Sequence, residues 1–410
     1  MTSFTKTRIL YVNHTGHMSG AERVLIDTLK GLDRDRYEPF VMCPMYGDLT
    51  SEICAAQVDW APLPAIRVRF TLRPDQMIRS VSPVLKAIRA LRKQIHACTP
   101  DLIHANSVRA GLVATLAAAG TRTPVIWHVH DSLPRHPLST ALRLFVLAAR
   151  GTQVIAVSRA TAQRFIGHVP IGGKVRTILD GVDLNRFASN TIGSKAFREE
   201  LGLSSEDFLV CAVGQVCKRK GLLEVIDAMR RIRMLAPHAH LAIVGKVVFQ
   251  HEDVYLQVLR AAARSWGVED RIHFCGERND VSPVLWASDL LVLNSSDEPF
   301  GLVLVEAMGC GTPVLAARVG GIPEIVTDGD SGWLVESGDT AALALKLLHL
   351  SSAKHELRRV ADFAQRVTCP KFSLDRYQKE LTALYATVVP RRGKSPRQKT
   401  SPAFARDGNH

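Results

Sequence analysis

The sequence predicts an α/β protein with two doubly wound parallel sheets. Short apolar segments that suit buried strands alternate with longer segments of helical period, a pattern typical of parallel sheets covered by helices. The chain has 410 residues, whereas a single hydrophobic core rarely exceeds about 300 residues. Its composition, 46% hydrophobic and 22% charged, is that of a globular protein. We therefore expect two domains, each with its own sheet.

Ten strands are predicted, five in each half of the chain. They cover residues 8–13, 39–43, 101–105, 125–129 and 153–157 in the first half, and 208–213, 241–244, 272–275, 290–293 and 314–316 in the second. Apolar residues at helical spacing predict a last helix over residues 373–388. The predicted division is a first domain of residues 1–185, a second of 186–372, a helical segment of 373–389 and a basic, disordered tail of 390–410.

The cysteines and the hydropathy pattern bear on the cellular compartment. The eight cysteines are scattered and include no C-x-x-C pair, which indicates reduced core residues of a cytosolic protein. No apolar run approaches the roughly 18 residues that span a bilayer, and the N-terminus does not resemble a signal peptide. We therefore expect a cytoplasmic protein.

The net charge of +13 is concentrated in the first half of the chain. The segment 67–93 carries one acidic residue, Asp75, and eight basic ones: Arg67, Arg69, Arg73, Arg79, Lys86, Arg89, Arg92 and Lys93. The residues predicted to form the opposite, apolar face of its helix are Leu85, Ile88, Leu91 and Ile95. The basic face either binds an anionic membrane surface or an acidic glycan, or is only the solvated face of an outer helix, and both readings stay open. Nucleic acid is not an expected partner, because no aromatic residues are interleaved with the basic ones.

The most informative segment is 297–324, which contains two glutamates eight residues apart. Glu306 lies in an apolar helical run, where an ionised carboxylate without hydrogen-bond donors would be costly. The paired hydroxyls of a sugar are suitable donors. Pro299 and Gly301 mark the start of the helix, whose backbone N–H groups attract phosphate. The segment therefore predicts a pocket for a nucleotide sugar.

The same segment resembles glycosyltransferase family 4, whose members are retaining enzymes of the GT-B fold. Glu298 and Glu306 match the family's E-x7-E signature, and 311–314 with 320–324 match its "GxPV...GGxPE" run. The resemblance implies two Rossmann-like domains facing a cleft. The first would bind the acceptor and the second the nucleotide-sugar donor, with the last helix crossing back to the first domain.

The resemblance also implies roles for individual residues of this segment. Glu298 would hold the hydroxyls of the donor sugar, and Glu306 would hold the ribose. The backbone amides of Phe300, Gly301 and Leu302 would contact the sugar or the diphosphate. A surface helix with two solvated glutamates is the alternative.

A second donor-binding motif follows a predicted strand at 214–221, GQVCKRKG, which resembles the family's "GRLxxxKG" loop. Lys220 occupies the position of the lysine that grips the donor diphosphate, and loss of a charge-assisted contact there would matter. Gln215 stands where the family has arginine, which leaves Lys218 or Arg219 to supply the second charge. A solvated basic turn is the alternative.

The first half of the chain carries two more matches. The segment 16–22 resembles the family's "GGxE" loop with Ser19 in place of the first glycine, and Gly20 would let the backbone approach the acceptor or the donor phosphates. His130 matches the "HD" position that lines the reaction centre, whereas His128 is predicted to point to the other face of its strand. Asp180 stands where the junction motif "NGVDxxxF" has asparagine.

The base of the donor and the metal requirement complete the expectations. The segment 274–281 resembles the "FLGxxxDV" stretch that seats the nucleobase, so Gly276 and Glu277 are assigned to the donor, UDP- or GDP-linked. The acidic pairs at 33–35 and 328–330 do not follow apolar strands, and no histidine or cysteine cluster has ligand spacing. No metal and no cofactor are expected.

The expected function is that of a retaining, metal-independent glycosyltransferase with His130, Glu298 and Lys220 as its catalytic residues. It would move a sugar from a nucleotide-sugar donor to a glycan or lipid-linked acceptor, in the synthesis of a cell-surface polysaccharide or glycolipid. The expected place is the cytoplasm or, for a peripheral protein, the inner face of the membrane. Two alternatives remain, namely a nucleotide-sugar epimerase of the same fold and a nucleotide-sugar binding protein with weak catalysis.

Overall fold

The computed structural model describes residues 6–66, 73–187, 191–247, 250–278 and 280–389. The chain forms two compact units. The first comprises the residues up to Gly181 and the segment from Leu374 onward, and the second is Val182–Ser373. Arg67, Arg69 and the tail 390–410 lie outside the described residues.

The first unit contains a seven-stranded parallel sheet. Its strands are β1 (Thr7–Val12), β2 (Tyr37–Cys43), β3 (Asp59–Pro62), β4 (Leu102–Ala105), β5 (Val125–Val129), β6 (Thr152–Ala156) and β7 (Val175–Thr177), in the order β3-β2-β1-β4-β5-β6-β7. The helices that connect them are α1 (Gly20–Gly31), α2 (Leu49–Ala55), α3 (Pro74–Cys98), α4 (Val108–Ala118), α5 (Pro137–Ala148) and α6 (Arg159–Ile166).

The second unit contains a six-stranded parallel sheet. Its strands are β8 (Phe208–Val213), β9 (Ala239–Val244), β10 (Ile272–Gly276), β11 (Leu290–Leu293), β12 (Val314–Ala317) and β13 (Trp333–Val335), in the order β10-β9-β8-β11-β12-β13. Its helices are α7 (Thr191–Glu200), α8 (Leu222–Ile232), α9 (Gln250–Ser265), α10 (Ser282–Ala287), α11 (Leu302–Cys310), α12 (Ile322–Ile325), α13 (Thr340–Leu350) and α14 (Lys354–Phe363).

Each sheet reverses its strand order once, between β1 and β4 in the first unit and between β8 and β11 in the second. In open parallel sheets, ligands bind outside the carboxyl ends of the strands at such a switch point. The topology therefore directs attention to the loops that follow these four strands.

All ten predicted strands are present, with ends that differ by at most two residues. Three further strands, β3, β7 and β13, were not predicted, and all three are edge strands of three or four residues. Three or four residues are too few to show an alternating or a continuous apolar pattern. Hydrophobic periodicity therefore did not predict these strands.

The basic helix α3 differs in part from its prediction. Leu91 and Ile95 are buried as expected, but Leu85 is 43% exposed and Ala87 takes its place in the core. The prediction for Leu85 is therefore wrong. Arg92 donates to the backbone carbonyls of Ala117 and Ala119 at the end of α4. Its guanidinium therefore caps the C-terminus of that neighbouring helix.

The last helix, α15 (Leu374–Val388), belongs to the first unit. Tyr377, Leu381 and Tyr385 are fully buried, and the side chain of Gln378 donates to the carbonyl of Thr28 in α1 at 3.0 Å. Burial of each large side chain contributes roughly 1.5–3 kcal/mol. The helix is thus an integral layer of the first unit. Among the described helices, none is both long enough and apolar enough to cross a bilayer.

Candidate functional site

A buried ion pair lies at the switch point of the second sheet. The turn after β8 carries Lys220, and the loop after β11 carries Glu298. The Nζ atom of Lys220 lies 2.6 Å from Oε2 of Glu298, and the Oγ of Ser295 donates to the same oxygen at 3.0 Å. The two charged side chains are only 14% and 11% exposed. Two residues 78 positions apart in sequence therefore form one polar centre.

The charge state of this centre follows from its contacts. Burial disfavours the ionised form of Glu298, but the charge and the hydrogen bond of Lys220 outweigh it, so the pKa of Glu298 lies below its ordinary value. The guanidinium of Arg219 adds a weaker attraction at 4.0 Å. Glu298 is therefore ionised and already balanced by the lysine.

Arg219 also holds the two loops together. Its Nη1 donates to the backbone carbonyl of Asp297 at 2.9 Å. Its own carbonyl accepts from the backbone amide of Ser296 at 2.8 Å. Gln215 lies earlier in the same turn and is half-buried.

The position of Glu298 depends on a glycine of the next motif. Gly320 has φ +54°, and a Cβ atom placed there would overlap the carbonyl oxygen of Glu298. The same carbonyl accepts from the backbone amide of Gly321 at 2.9 Å. Position 320 therefore requires glycine, because the loop of Glu298 contacts the backbone of the loop after β12 there.

Glu306 lies on α11 and is buried, as its apolar neighbours predict. Gly301 is the N-cap of this helix in the left-handed conformation, and Leu302 is its first residue. The Phe300 side chain is buried against Phe372, with ring centroids 5.9 Å apart, so only its backbone can contact a ligand. The first N–H groups of a helix have no carbonyl four residues earlier in the helix to donate to, although here the amide of Leu304 donates to the carbonyl of Gly301 at 2.9 Å.

Gly276 and Glu277 lie at the end of β10, the edge strand of the second sheet. The carbonyl of Gly276 accepts from the backbone amide of Gly245 at 2.7 Å. Glu277 forms an ion pair with Lys246, a residue outside the predicted motifs. Gly276 and Glu277 are exposed, and neither is part of the Lys220–Glu298 centre.

A hydrogen-bonded network lies at the switch point of the first sheet. Asn13 follows β1, Asn106 follows β4 and His130 follows β5. The Nδ2 of Asn13 donates to Glu22 at 3.1 Å, and the Nδ2 of Asn106 donates to Oδ1 of Asn13 at 3.1 Å. The Nε2 of His130 lies 3.1 Å from Oδ1 of Asn106. Gly20 begins α1, the helix that carries Glu22.

Asp180 joins this network from the opposite side of His130. One of its oxygens lies 3.5 Å from Nδ1 of His130, and the other lies 3.6 Å from Nε2 of His128. The two rings have centroids 4.1 Å apart. The prediction that His128 points to the other face is therefore wrong, since residues i and i+2 of a strand share a face.

The network continues from His128 into α15. The Nδ1 of His128 lies 3.3 Å from Nε2 of His104, and the Nδ1 of His104 lies 2.7 Å from the hydroxyl of Tyr385. That hydroxyl also contacts Tyr11 at 3.2 Å. Burial lowers the pKa of His128 to about 4 and the pKa of His104 well below its ordinary value. Both rings are therefore neutral near pH 7.

His128, His130 and Asp180 also form a group of possible metal ligands, with one donor atom of each within 4.8 Å of the others. The sequence shows no histidine or cysteine cluster with ligand spacing, because Asp180 is fifty residues away from His130 and only the fold brings it beside the two histidines. Each ring nitrogen faces its own carboxylate oxygen. We interpret the group as an electrostatic pair of Asp180 with His130, because Nε2 of His128 and Oδ1 of Asp180 are too far apart, at 3.6 Å, for a hydrogen bond.

The buried histidines predict a loss of stability in acid. The unfolded chain takes up protons on His104 and His128 below about pH 6.5. In the folded protein the pKa of His128 is about 4 and that of His104 lies well below its ordinary value, so both rings resist protonation there. For His128 this amounts to roughly 3 kcal/mol by pH 4. We expect the Tm to fall steadily between pH 6.5 and 4 in scanning calorimetry, and less steeply in a His128→Gln variant. Equal slopes for the two proteins would contradict this.

Comparisons with known proteins agree with the two-unit architecture. The family model of Glycosyltransferase Family 4 matches residues 18–186, and that of Glycosyl transferases group 1 matches residues 193–367. The crystal structure of Anabaena HepE in complex with UDP-glucose superposes with a TM-score of 0.80 and 28% identity, and covers 93% of this chain and 99% of that one.

Two curated relatives extend the comparison. A D-inositol 3-phosphate glycosyltransferase of Salinispora arenicola is 30% identical over 339 residues, which are 77% of this chain and 74% of that protein. The N-acetyl-alpha-D-glucosaminyl L-malate synthase of Bacillus anthracis is 30% identical over 192 residues. That match spans 47% of this chain and about half, 49%, of the relative.

Proposed function

This chain belongs to glycosyltransferase family 4, of the GT-B fold, and we propose that it is a retaining, metal-independent enzyme. It is a glycosyltransferase that uses a nucleotide sugar. We propose a UDP- or GDP-linked donor and a glycan or lipid-linked acceptor. No resident cofactor or metal is assigned to the reaction.

The ion pair of Lys220 and Glu298 carries this proposal. A buried ammonium and a buried carboxylate, 2.6 Å apart at a sheet's switch point, offer opposite charges to one ligand. A diphosphate takes hydrogen bonds from Lys220, whereas sugar hydroxyls donate to the oxygens of Glu298. A nucleotide sugar carries both groups side by side, so it can replace the internal pair without leaving either charge alone.

The proposed reaction needs stabilisation of the leaving diphosphate. The bond between the anomeric carbon and the phosphate oxygen breaks, and its electron pair goes to the diphosphate. The acceptor oxygen bonds to the same face of that carbon, and its proton goes to a phosphate oxygen of the donor. Lys220 and the first-turn amides of α11 stabilise the negative charge that develops on the leaving group.

The relatives support the choice of substrates. HepE binds UDP and UDP-glucose in its crystal structures, which favours a UDP-linked hexose as the donor. The names of the two curated relatives contain L-malate and D-inositol 3-phosphate, both of which are anionic compounds. We propose an acceptor of cell-surface polysaccharide or glycolipid synthesis. The described basic residues of α3, among them Lys86, Arg89 and Lys93, are proposed to attract an anionic membrane surface.

A panel of nucleotide sugars tests the proposal. A ligand that binds only the folded state raises the Tm with concentration, and we expect a UDP- or GDP-hexose to do so in the presence of EDTA. Glu306→Gln is expected to weaken donor binding about tenfold or more, because the ribose loses a charged acceptor. Turnover with saturating donor should change less. Isothermal titration and initial rates measure the two effects.

The control is an incubation without acceptor. An epimerase would convert the donor there, whereas the proposed transferase leaves the sugar configuration unchanged. The anomeric configuration of the product, read by NMR, decides between retention and inversion. Loss of transfer in EDTA with recovery on adding a divalent cation would refute metal independence. Unaltered donor affinity in Glu306→Gln would refute the ribose assignment.

A further inference from the structure

The structure gives a role to Asp180, which stands where the family motif has asparagine. Its carboxylate is buried against two histidines, one of which occupies the position assigned to the reaction centre. We propose that Asp180 is a positioning residue that keeps His130 as an imidazolium, so that His130 acts as a fixed cation and not as a base. The catalytic consequence rests on the proposed function, but the protonation state does not.

The orientation of the Asn106 amide sets the direction of the hydrogen bond at Nε2 of His130. The Nδ2 of Asn106 donates to the backbone carbonyl of Ala21 at 3.1 Å, and a carbonyl can only accept. The other amide atom, Oδ1, therefore faces Nε2 of His130 at 3.1 Å. Because this oxygen can only accept, Nε2 carries a hydrogen.

The other nitrogen of the His130 ring is Nδ1. It faces a carboxylate oxygen of Asp180 at 3.5 Å inside the protein. A ring with hydrogen on Nε2 alone would direct its lone pair at that carboxylate, and like partial charges repel strongly where water is absent. A hydrogen on Nδ1 converts the repulsion into attraction. Both nitrogens of His130 are then protonated.

The surrounding groups favour the same state. The titratable groups that interact with His130 are Asp180, Glu22, Asp131, His104, His128 and His14. Burial raises the pKa of Glu22, so its attraction is secondary to that of Asp180. Burial opposes a charge on the ring, but the attraction of Asp180, and secondarily of Glu22 and Asp131, raises the pKa of His130. The pKa of Asp180 falls to about 2 although burial opposes it, since His130 and His128 attract its charge. The neighbouring histidines have lowered pKa values and add no competing cation near pH 7.

The consequence is mechanistic. A doubly protonated ring has no lone pair with which to take the proton of an acceptor hydroxyl. The proton must go elsewhere, and the donor phosphate is the group that the proposed reaction offers. His130 contributes a positive charge whose position is held by Asn106 on one side and Asp180 on the other.

Asp180→Asn tests this directly. The amide keeps the shape of the carboxylate but removes the counter-charge, so His130 becomes neutral in the upper part of the pH range. We expect kcat at pH 8 to fall about 10- to 100-fold while the donor KM changes less than about threefold. A new ionisation should appear between pH 6 and 8, with kcat rising as the pH falls and His130 takes up a proton. The kcat of the unaltered protein should be independent of pH in this window.

Asp183→Asn is the matched control. Asp183 lies three residues further along, where its carboxylate accepts only a local backbone hydrogen bond from Asn185 among the contacts described. We expect its kcat and pH profile to equal those of the unaltered protein. An Asp180→Asn variant with unchanged kcat and an unchanged profile would overturn the proposal.

A measurement on the unaltered protein covers the case in which Asp180→Asn does not fold. In protein labelled with ¹⁵N-histidine, the ring signals of His130 are assigned by their loss in His130→Gln. Both ring nitrogens should be protonated at pH 7. A neutral His130 at pH 7, or a stoichiometric metal ion bound by the histidines and Asp180, would overturn the proposal. Because this readout needs no substrate, failure of the transfer assay alone counts against the proposed function and not against the protonation state.

Discussion

Lys220→Ala is expected to lower turnover by about 10²- to 10³-fold, the usual result of removing one charge-stabilising donor from an active site. Lys220 is the ammonium nearest to Glu298, at 2.6 Å, and the buried position makes its charge effective. The substitution also leaves Glu298 without its main counter-charge. We therefore expect the donor KM to rise as well, because a carboxylate that becomes protonated is a poorer acceptor for sugar hydroxyls.

Lys218→Ala is the control for Lys220→Ala. Lys218 lies two residues earlier in the same turn and is exposed. Its substitution therefore tests whether the loss of any positive charge from this turn lowers turnover as much as the loss of Lys220. Its effect on kcat should stay below about tenfold. In a double-mutant cycle, Glu298→Gln should cost less in the Lys220→Ala background than alone, since the two groups act as a pair. Steady-state kinetics measures all four proteins. Turnover within threefold of the unaltered protein in Lys220→Ala would refute the assignment of the diphosphate.

The second unit shows what sequence patterns can and cannot predict. The strands β8 and β11 were predictable because each is a continuous apolar run. The motifs after them were assigned to different parts of the donor, Lys220 to the diphosphate and Glu298 to the sugar. Their contact was not predictable, since it depends on β8 and β11 being neighbours in the sheet, and strand order is not written in either segment. Spatial adjacency, not local pattern, creates the ion pair.

The first unit shows the same limit in a different form. His130 was identified from its motif, and the two-residue period of a strand was sufficient to place His128 beside it, although the opposite was predicted. Asp180 could be recognised only as a departure from asparagine. It follows β7, the short edge strand that periodicity did not reveal, so no sequence argument could bring it to His130. Polar networks assembled from distant loops require the tertiary structure.

Gly320→Ala is expected to lower both the stability of the second unit and its affinity for the donor. The residue has φ +54°, which costs an alanine about 1–2 kcal/mol. Its Cβ would also overlap the carbonyl oxygen of Glu298, and forced repacking typically adds about 1–3 kcal/mol. Because the overlap is with backbone, the loop must move and carry the Glu298 carboxylate away from Lys220. We expect a Tm lower by roughly 5–15 °C and donor affinity weaker by about tenfold or more.

Gly338→Ala separates strain from overlap in this experiment. Gly338 has a similar positive φ of +85°, but a Cβ atom there would meet nothing within 4 Å. It should therefore show only the backbone cost, a few degrees in Tm, with unchanged donor affinity. Calorimetry and titration with the donor distinguish the two effects. If both variants lose the same stability and bind the donor equally well, glycine is needed at 320 only for its positive φ and not for the position of Glu298. A selective loss of donor affinity in Gly320→Ala would show that the glycine-rich run acts by holding the Glu298 carboxylate in place.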